Sequence, residues 1–336
     1  MIRALPFVLA GLAVTLASGC GTDSAPAGSG NAAQDGGGTS GGGAGGGTAG
    51  TGGAAGGGGG GGTPHSDAKL VFAALGDSGF SATDDLGITK TKEVAALVNS
   101  WDLDFILHLG DLNYPDGAAT TIEANIGRHY ARHIWGYQGP NGPGADVNRF
   151  FPCPGNHDYK TDGAQPYFDY FPFLEQRHHY DVDFGLLHVF SLDSETDAGR
   201  DASSPQGQWL LSEAPKSGAC FKLAMWHRAS YTSGKYHDSP NEESRFVTRA
   251  STGVDLVLYG HDHVYERVEK EDTVYLTVGT GGAGLYDFEG AEPDSKARYR
   301  GYGALLVTVT PGKLVAEFRD LDGNVQDSRT IEKTCP

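Results

Sequence analysis

Positive charge is in short supply in this chain: 25 Lys and Arg stand against 42 Asp and Glu, a formal net charge of −17 over 336 residues. So acidic a polypeptide does not offer the basic face that nucleic acid or an anionic membrane surface requires. An anionic substrate would then need a locally positive site, which bound metal ions can supply. Cysteine is equally scarce, with only Cys20, Cys153, Cys220 and Cys335. None of them supplies a ligand position in the histidine and carboxylate motifs described below, which argues against a structural zinc site. Cys153 closes one expected strand and Cys220 begins another, which favours a Cys220–Cys335 disulfide in an exported chain while leaving other pairings open.

Two stretches cannot contribute to a core. Residues 1–20 hold one early Arg, a mostly apolar run over 4–16, and then Ala17-Ser18-Gly19-Cys20. The run is too short for a membrane span and reads as a secretory signal peptide. Its small-small-Cys ending resembles the lipobox of bacterial lipoproteins, apart from Ala17, where Leu is usual. That resemblance implies lipidation at Cys20, membrane contact through the anchor alone, and a place at the outer membrane or cell surface. An ordinary signal peptide implies a periplasmic or secreted protein instead. Residues 21–66 contain 22 of the 52 glycines and have too little apolar surface to fold. As flexible coil they span on the order of 40 Å, which makes them a tether. Residues 67–336 are enough for one large single-core domain.

Within that domain apolar strands alternate with helical periodicity. The spacing predicts strands over Leu70–Leu75, Asp104–Leu109, Arg149–Cys153, Tyr180–Asp183, Leu186–Asp193, Phe221–Trp226 and Val254–Tyr259. Helices are expected over Thr89–Trp101, Thr121–Trp135, Gln206–Glu213 and Glu242–Ala250, while Tyr167–Phe173 reads as irregular. After Tyr265 only strands follow, over Thr273–Val278, Ala304–Thr310, Lys313–Arg319 and Asn324–Ile331. This is the pattern of an α/β fold in which two β-sheets pack face to face and are flanked by helices. Ligands in such folds bind at the carboxyl ends of strands. One motif misleads. Gly279-Thr280-Gly281-Gly282-Ala283-Gly284 fits a dinucleotide fingerprint, but no helix follows it, so a tight loop at the rim of a site is expected.

The chemistry sits at the strand ends. Leu70–Leu75 runs into Gly76-Asp77-Ser78-Gly79, Phe105–Leu109 into Gly110-Asp111-Leu112-Asn113-Tyr114, and Arg149–Cys153 into Pro154-Gly155-Asn156-His157-Asp158. Phe221–Trp226 ends on His227, and the last of these strands runs into Gly260-His261-Asp262-His263. Asp77, Asp111, Tyr114, Asn156, His227, His261 and His263 are therefore candidate metal ligands. Singly, each could be a turn or cap residue; together they make one donor set. Oxygen and nitrogen donors without thiolate suit two hard or borderline cations. Paired cations about 3.5–4 Å apart clamp both the attacking and the leaving oxygen in phosphoryl transfer. One carboxylate has to bridge them, and Asp111, central in the set, is the natural choice.

These motifs, in this order, resemble the purple acid phosphatases within the calcineurin-like metallophosphoesterases, over about Ala73 to Leu285. Val264-Tyr265-Glu266-Arg267 is similar as well. Gly79 stands where other calcineurin-like enzymes place a histidine, and Tyr114 follows three residues after Asp111. That exchange marks the purple branch, in which a tyrosinate binds ferric iron. The resemblance implies a calcineurin-like metallophosphoesterase sandwich (αββα) of two mixed sheets. It implies Fe(III) held by Asp77, Asp111, Tyr114 and His263, with a divalent Zn, Fe or Mn held by Asp111, Asn156, His227 and His261. It further implies hydrolysis of small phosphate monoesters by metal-activated hydroxide, with His157 as a catalytic residue that contacts the phosphate or leaving group. Two adjacent histidines of plant members read Tyr236-His237 here, which leaves the second proton-donor position to His237. A phosphodiesterase or nucleotidase of the same fold is the alternative, and a surface module that keeps metals without turnover is a further one. His108, His129, His133, His178, His179 and His188 read as core histidines. Arg228 reads either as a phosphate-steering group or as part of a surface salt bridge.

Overall fold

The structure, a computed structural model, describes residues 69–79, 90–196, 200–236, 246 and 252–336. The signal peptide with Cys20, the tether, His237 and, apart from Phe246, the helix expected over Glu242–Ala250 lie outside these residues. β1 (Leu70–Leu75), β2 (Phe105–Leu109) and β3 (Phe150–Cys153) are buried along their whole length and pair in parallel. Runs with both faces covered need no alternation, which is why they read as continuous apolar segments. Between β1 and β2, α1 (Thr91–Asn99) lays Val94, Ala95 and Val98 into the core.

The single helix expected over Thr121–Trp135 is broken. α2 (Ala119–Ile122) passes into a wide π turn over Glu123–Gly127, then α3 (Arg128–Tyr130) and a 3-10 turn over Ala131–His133. The Glu123 carboxylate folds back over Gly127, which has no Cβ to meet it, and accepts from the hydroxyls of Tyr137 and Tyr170. Asn125 in the wide turn donates to the Tyr114 carbonyl at 2.7 Å and to Asn113 Oδ1 at 2.9 Å. The irregularity thus braces the loop after β2. Conversely, the stretch expected to be irregular after Tyr167 lies partly in α4 (Gln165–Tyr170), where a proline in the first turn suits a helix start.

The chain continues through β4 (Tyr180–Asp183), β5 (Leu187–Ser191), α5 (Pro205–Glu213), β6 (Phe221–Met225), β7 (Leu256–Tyr259), β8 (Tyr265–Lys270), β9 (Thr273–Val278), β10 (Ser295–Tyr299), β11 (Gly303–Thr310), β12 (Lys313–Asp320) and β13 (Val325–Glu332). Ser204 caps α5 by accepting from the Gly207 amide at 3.1 Å. β8 and β10 escaped the sequence pattern because charged residues interrupt their apolar ones. Two mixed sheets result, in the orders β13-β12-β11-β1-β2-β3 and β10-β8-β9-β7-β6-β5-β4.

The sheets share one core. Tyr265 of β8 stacks on Phe318 of β12 at 4.2 Å, and Phe184 lies 4.0 Å from Phe105 of β2. Period-two alternation sorts β7: Leu256 and Leu258 face this core, while Val257 and Tyr259 join Trp226 and Phe246 beneath Leu210 of α5. Polar links cross the same gap, with Arg267 of β8 donating to Asp327 of β13 at 2.8 and 3.0 Å. The Cys220–Cys335 disulfide ties the C-terminal tail to the start of β6, and Cys153 is a buried free thiol.

Candidate metal centre

The chain turns sharply where β1, β2 and β7 end. Asp77, Asp111 and His261 adopt φ of 57°, 50° and 69°. A non-glycine residue in this left-handed region costs about 1 kcal/mol or more, and sites that hold such residues are over-determined by their surroundings. The neighbouring glycines leave the room. A Cβ on Gly110 would strike the His227 imidazole, and one on Gly260 would strike the Asp77 carboxylate. The Gly279–Gly284 stretch is the rim loop its sequence implied. Gly281 N donates to Gly76 O and Ala283 N to Asp77 O, both at 2.9 Å, so it clamps the Asp77 turn.

These turns bring the seven predicted donor residues together in two sets. In the first, the Tyr114 hydroxyl lies 3.3 Å from Asp77 Oδ1, 3.0 Å from Asp111 Oδ2 and 3.1 Å from His263 Nε2. His263 Nε2 is itself 3.3 Å from Asp77 Oδ1. In the second, His227 Nε2 lies 3.1 Å from Asn156 Oδ1, 3.5 Å from Asp111 Oδ1 and 3.2 Å from His261 Nδ1. The two oxygens of Asp111 face different sets. Edges of about 3 Å are what neighbouring ligands make at right angles around an ion about 2.1 Å away.

The back sides of two imidazoles fix their ring orientation. His227 Nδ1 donates to Leu109 O at 2.8 Å and His263 Nδ1 to Gly284 O at 2.7 Å, which aims both Nε2 atoms into the cluster. Asp77 is fully buried and Asp111 nearly so, and among the described residues no Lys or Arg pairs with either. Burying two carboxylates in this way costs several kcal/mol unless positive charge compensates. The donor set therefore fits cations. Without them, the same fields act on the side chains. Burial lowers the His227 pKa, but Asp111 and Asp77 outweigh it and lift it to about 10. Burial, Asp111 and Asp77 together push the Tyr114 phenol well above its usual value. A bound cation reverses the sign of both effects.

His157 stands at the mouth rather than in the donor set. Its amide donates to Asp111 Oδ1 at 2.7 Å, its Nδ1 is 2.6 Å from Pro115 O, and its Nε2 is 3.9 Å from Asp111 Oδ2. Sequence reasoning missed three supporting residues. Asp158 accepts from the amides of Leu112, Asn113 and Gly155, pinning the loops after β2 and β3 together. Burial and Asp111 raise its pKa to about 7. Lys160, one helical turn after His157, places Nζ 2.9 Å from His157 Nδ1. Tyr286 stacks on His263 at 4.0 Å and could not have been found from spacing.

Arg228 forms the expected salt bridge, but not at the surface. It is buried and pairs with Glu195 at 2.9 Å, with Nη1 3.4 Å from His261 Nε2. Among the expected core histidines, His108, His133 and His188 are buried; His178 is largely exposed, and His129 and His179 are half-buried. His108 bonds Ser78 Oγ at 2.5 Å, yet its Nδ1 finds no partner.

Comparison with known proteins places this geometry. The family described as calcineurin-like phosphoesterase matches residues 70–265. Purple acid phosphatase 22 of Arabidopsis thaliana is 27% identical over 242 residues, which cover 66% of this chain and 52% of that protein. Purple acid phosphatase 4 of the same plant is 23% identical over 294 residues, 78% of this chain and 83% of its own length. A purple acid phosphatase from yellow lupin (Lupinus luteus) seeds shares the fold, with a TM-score of 0.64 at 21% identity over 81% of this chain and 55% of that one. The chain spans about half the length of most of the curated relatives it matches.

Proposed function

This chain belongs to the calcineurin-like phosphoesterase family, and from that premise we propose that it is a dinuclear metal hydrolase that cleaves phosphate monoesters. The observation that carries the reading is the division of Asp111, whose Oδ2 faces Asp77, Tyr114 and His263 while its Oδ1 faces His227. Asp77, Asp111, Tyr114 and His263 would hold Fe(III), and Asp111, Asn156, His227 and His261 a divalent Zn, Fe or Mn ion. When bound, two such cations supply charge stabilisation for a phosphoryl group and a nucleophile near neutral pH.

The rest falls to the chain's own groups. The Leu109 and Gly284 carbonyls keep His227 and His263 from turning away. The Pro115 carbonyl, 2.6 Å from His157 Nδ1, orients the ring so that a proton on Nε2 can be given to the leaving oxygen. Lys160 adds positive charge on the same side, where phosphoryl oxygens would lie. The substrate in this reading is a small phosphorylated molecule, and the protein is exported and held to a membrane through Cys20.

Phenyl phosphate hydrolysis by the purified protein, abolished by a chelator and restored by metal, tests the assignment. With iron bound, a tyrosinate charge-transfer band should colour the protein and vanish in Tyr114→Phe while measurable turnover remains. A protein that binds no metal and leaves phenyl phosphate intact would overturn the reading.

A further inference from the structure

The mouth of the donor cluster is walled by two tyrosines. Tyr236 stacks on His261 at 4.1 Å and 14°, and Tyr286 on His263 at 4.0 Å and 11°. The two rings meet edge to face at 6.1 Å. One face of each tyrosine is thus spent on a site histidine, and the pair is poorly placed to sandwich a flat base. What the wall does present is charge. Lys235 Nζ lies 4.5 Å from the centroid of Tyr286 and 5.5 Å from that of Tyr236. Ring faces attract an ammonium and hold it in place without neutralising it.

The acids nearby are already engaged. Asp287, next to Tyr286, pairs with Arg300 at 2.7 Å. Asp262 accepts from the Thr232 hydroxyl at 2.5 Å and the Tyr236 amide at 3.3 Å. The Glu266 carboxylate is held by Ser233 and Ser295. In a chain carrying −17, an exposed lysine beside the site that pairs with no carboxylate among the described residues stands out. Lys160 lies against His157, so a second ammonium stands near the cluster.

We propose that Lys235, seated on Tyr236 and Tyr286, is an anion subsite, and that the site takes phosphate esters bearing a second anionic group. This deepens the phosphatase reading and rests on it. The phosphoryl group lies at the donor cluster, and a carboxylate or second phosphate of the same molecule reaches Lys235. Tyr236 and Tyr286 are positioning residues for that ammonium.

The test uses two ligands with uncleavable C–P bonds, 4-phosphonobutanoate and butylphosphonate, titrated calorimetrically into the metal-loaded protein. A charge-assisted contact is worth about tenfold in affinity, so wild type should prefer the carboxylate-bearing ligand by about that factor. Lys235→Met should bring the ratio near one, and Lys235→Arg should keep it, with circular dichroism confirming that both variants fold. Equal binding of the two ligands by wild type, or a preference that survives in Lys235→Met, overturns the subsite. If wild type binds neither phosphonate, the phosphoryl site itself is wrong and the subsite falls with it.

Discussion

The two sheets contribute different chemistry. The six-stranded sheet provides every oxygen donor: Asp77 after β1, Asp111 and Tyr114 after β2, and Asn156 after β3. The seven-stranded sheet provides every imidazole: His227 after β6, then His261 and His263 after β7. Neither sheet can build either ion site alone, because each cluster joins oxygens from one sheet to nitrogens from the other, at 3.1 Å for Tyr114 with His263 and for Asn156 with His227. The centre therefore reports on how the sheets are docked. Packing across the shared core, between Tyr265 and Phe318 for example, holds a register that the donors need to within a few tenths of an ångström.

Removing the residue that serves both clusters should have the largest effect. Asp111→Ala leaves each site one donor short and should empty both, lowering turnover by on the order of 10³-fold or more. Elemental analysis and phenyl phosphate hydrolysis would show it. Full activity in this variant would mean that the division of Asp111 has no function.

His157 sharpens the comparison from the other side, since it belongs to the oxygen-donor sheet but not to the donor set. His157→Ala should keep its metals and lose roughly 10²–10⁴-fold against alkyl phosphates, the usual range for general acid help. The loss should be smaller with aryl phosphates, whose leaving groups need less protonation. Loss of metal instead would make the role structural. The smallest effect concerns the docking of the sheets. Burial raises the Asp327 pKa, but hydrogen bonds from Arg267 and Tyr265 outweigh it and hold it below the usual carboxylate value. A carboxylate lowered by folding stabilises above its unfolded pKa of about 3.9, and that stability is lost as pH falls through the folded value. Asp327→Asn should cost about 1 kcal/mol after solvent screening, a Tm drop of a few degrees at pH 7 that shrinks below about pH 4. An equal drop at pH 3 would show that charge is not what bridges the sheets.

Much of this centre could be read in the chain because its donors obey a local rule. Each buried strand ends where a glycine or polar turn releases it, and the next residues aim inward, as in Gly110-Asp111 and Gly260-His261. The rule carries no information about residues that arrive from elsewhere. Tyr286 reaches His263 from the glycine-rich loop and Glu195 reaches Arg228 from the end of β5, so neither has a spacing signal. Arg228 reads as phosphate-steering or as part of a surface salt bridge for that reason, and its bridge to Glu195 is buried. In the fold, apolar runs gave away the buried strands, whereas β8 and β10 are rich in charge and look like loop; Arg267 and Glu269 of β8 find partners on β13. The helix over Thr121–Trp135 fails because Glu123 and Asn125 point inward to polar partners, a tertiary demand that helical periodicity does not encode.

The central claim is that two ion sites share one carboxylate across two sheets, and counting bound ions tests it most directly. Wild type should hold two per chain. His263→Ala and His261→Ala should each hold one, the first losing the ion bound through Tyr114 and with it the visible band, the second keeping that band. One ion in wild type, or loss of both ions in either histidine variant, would contradict the account.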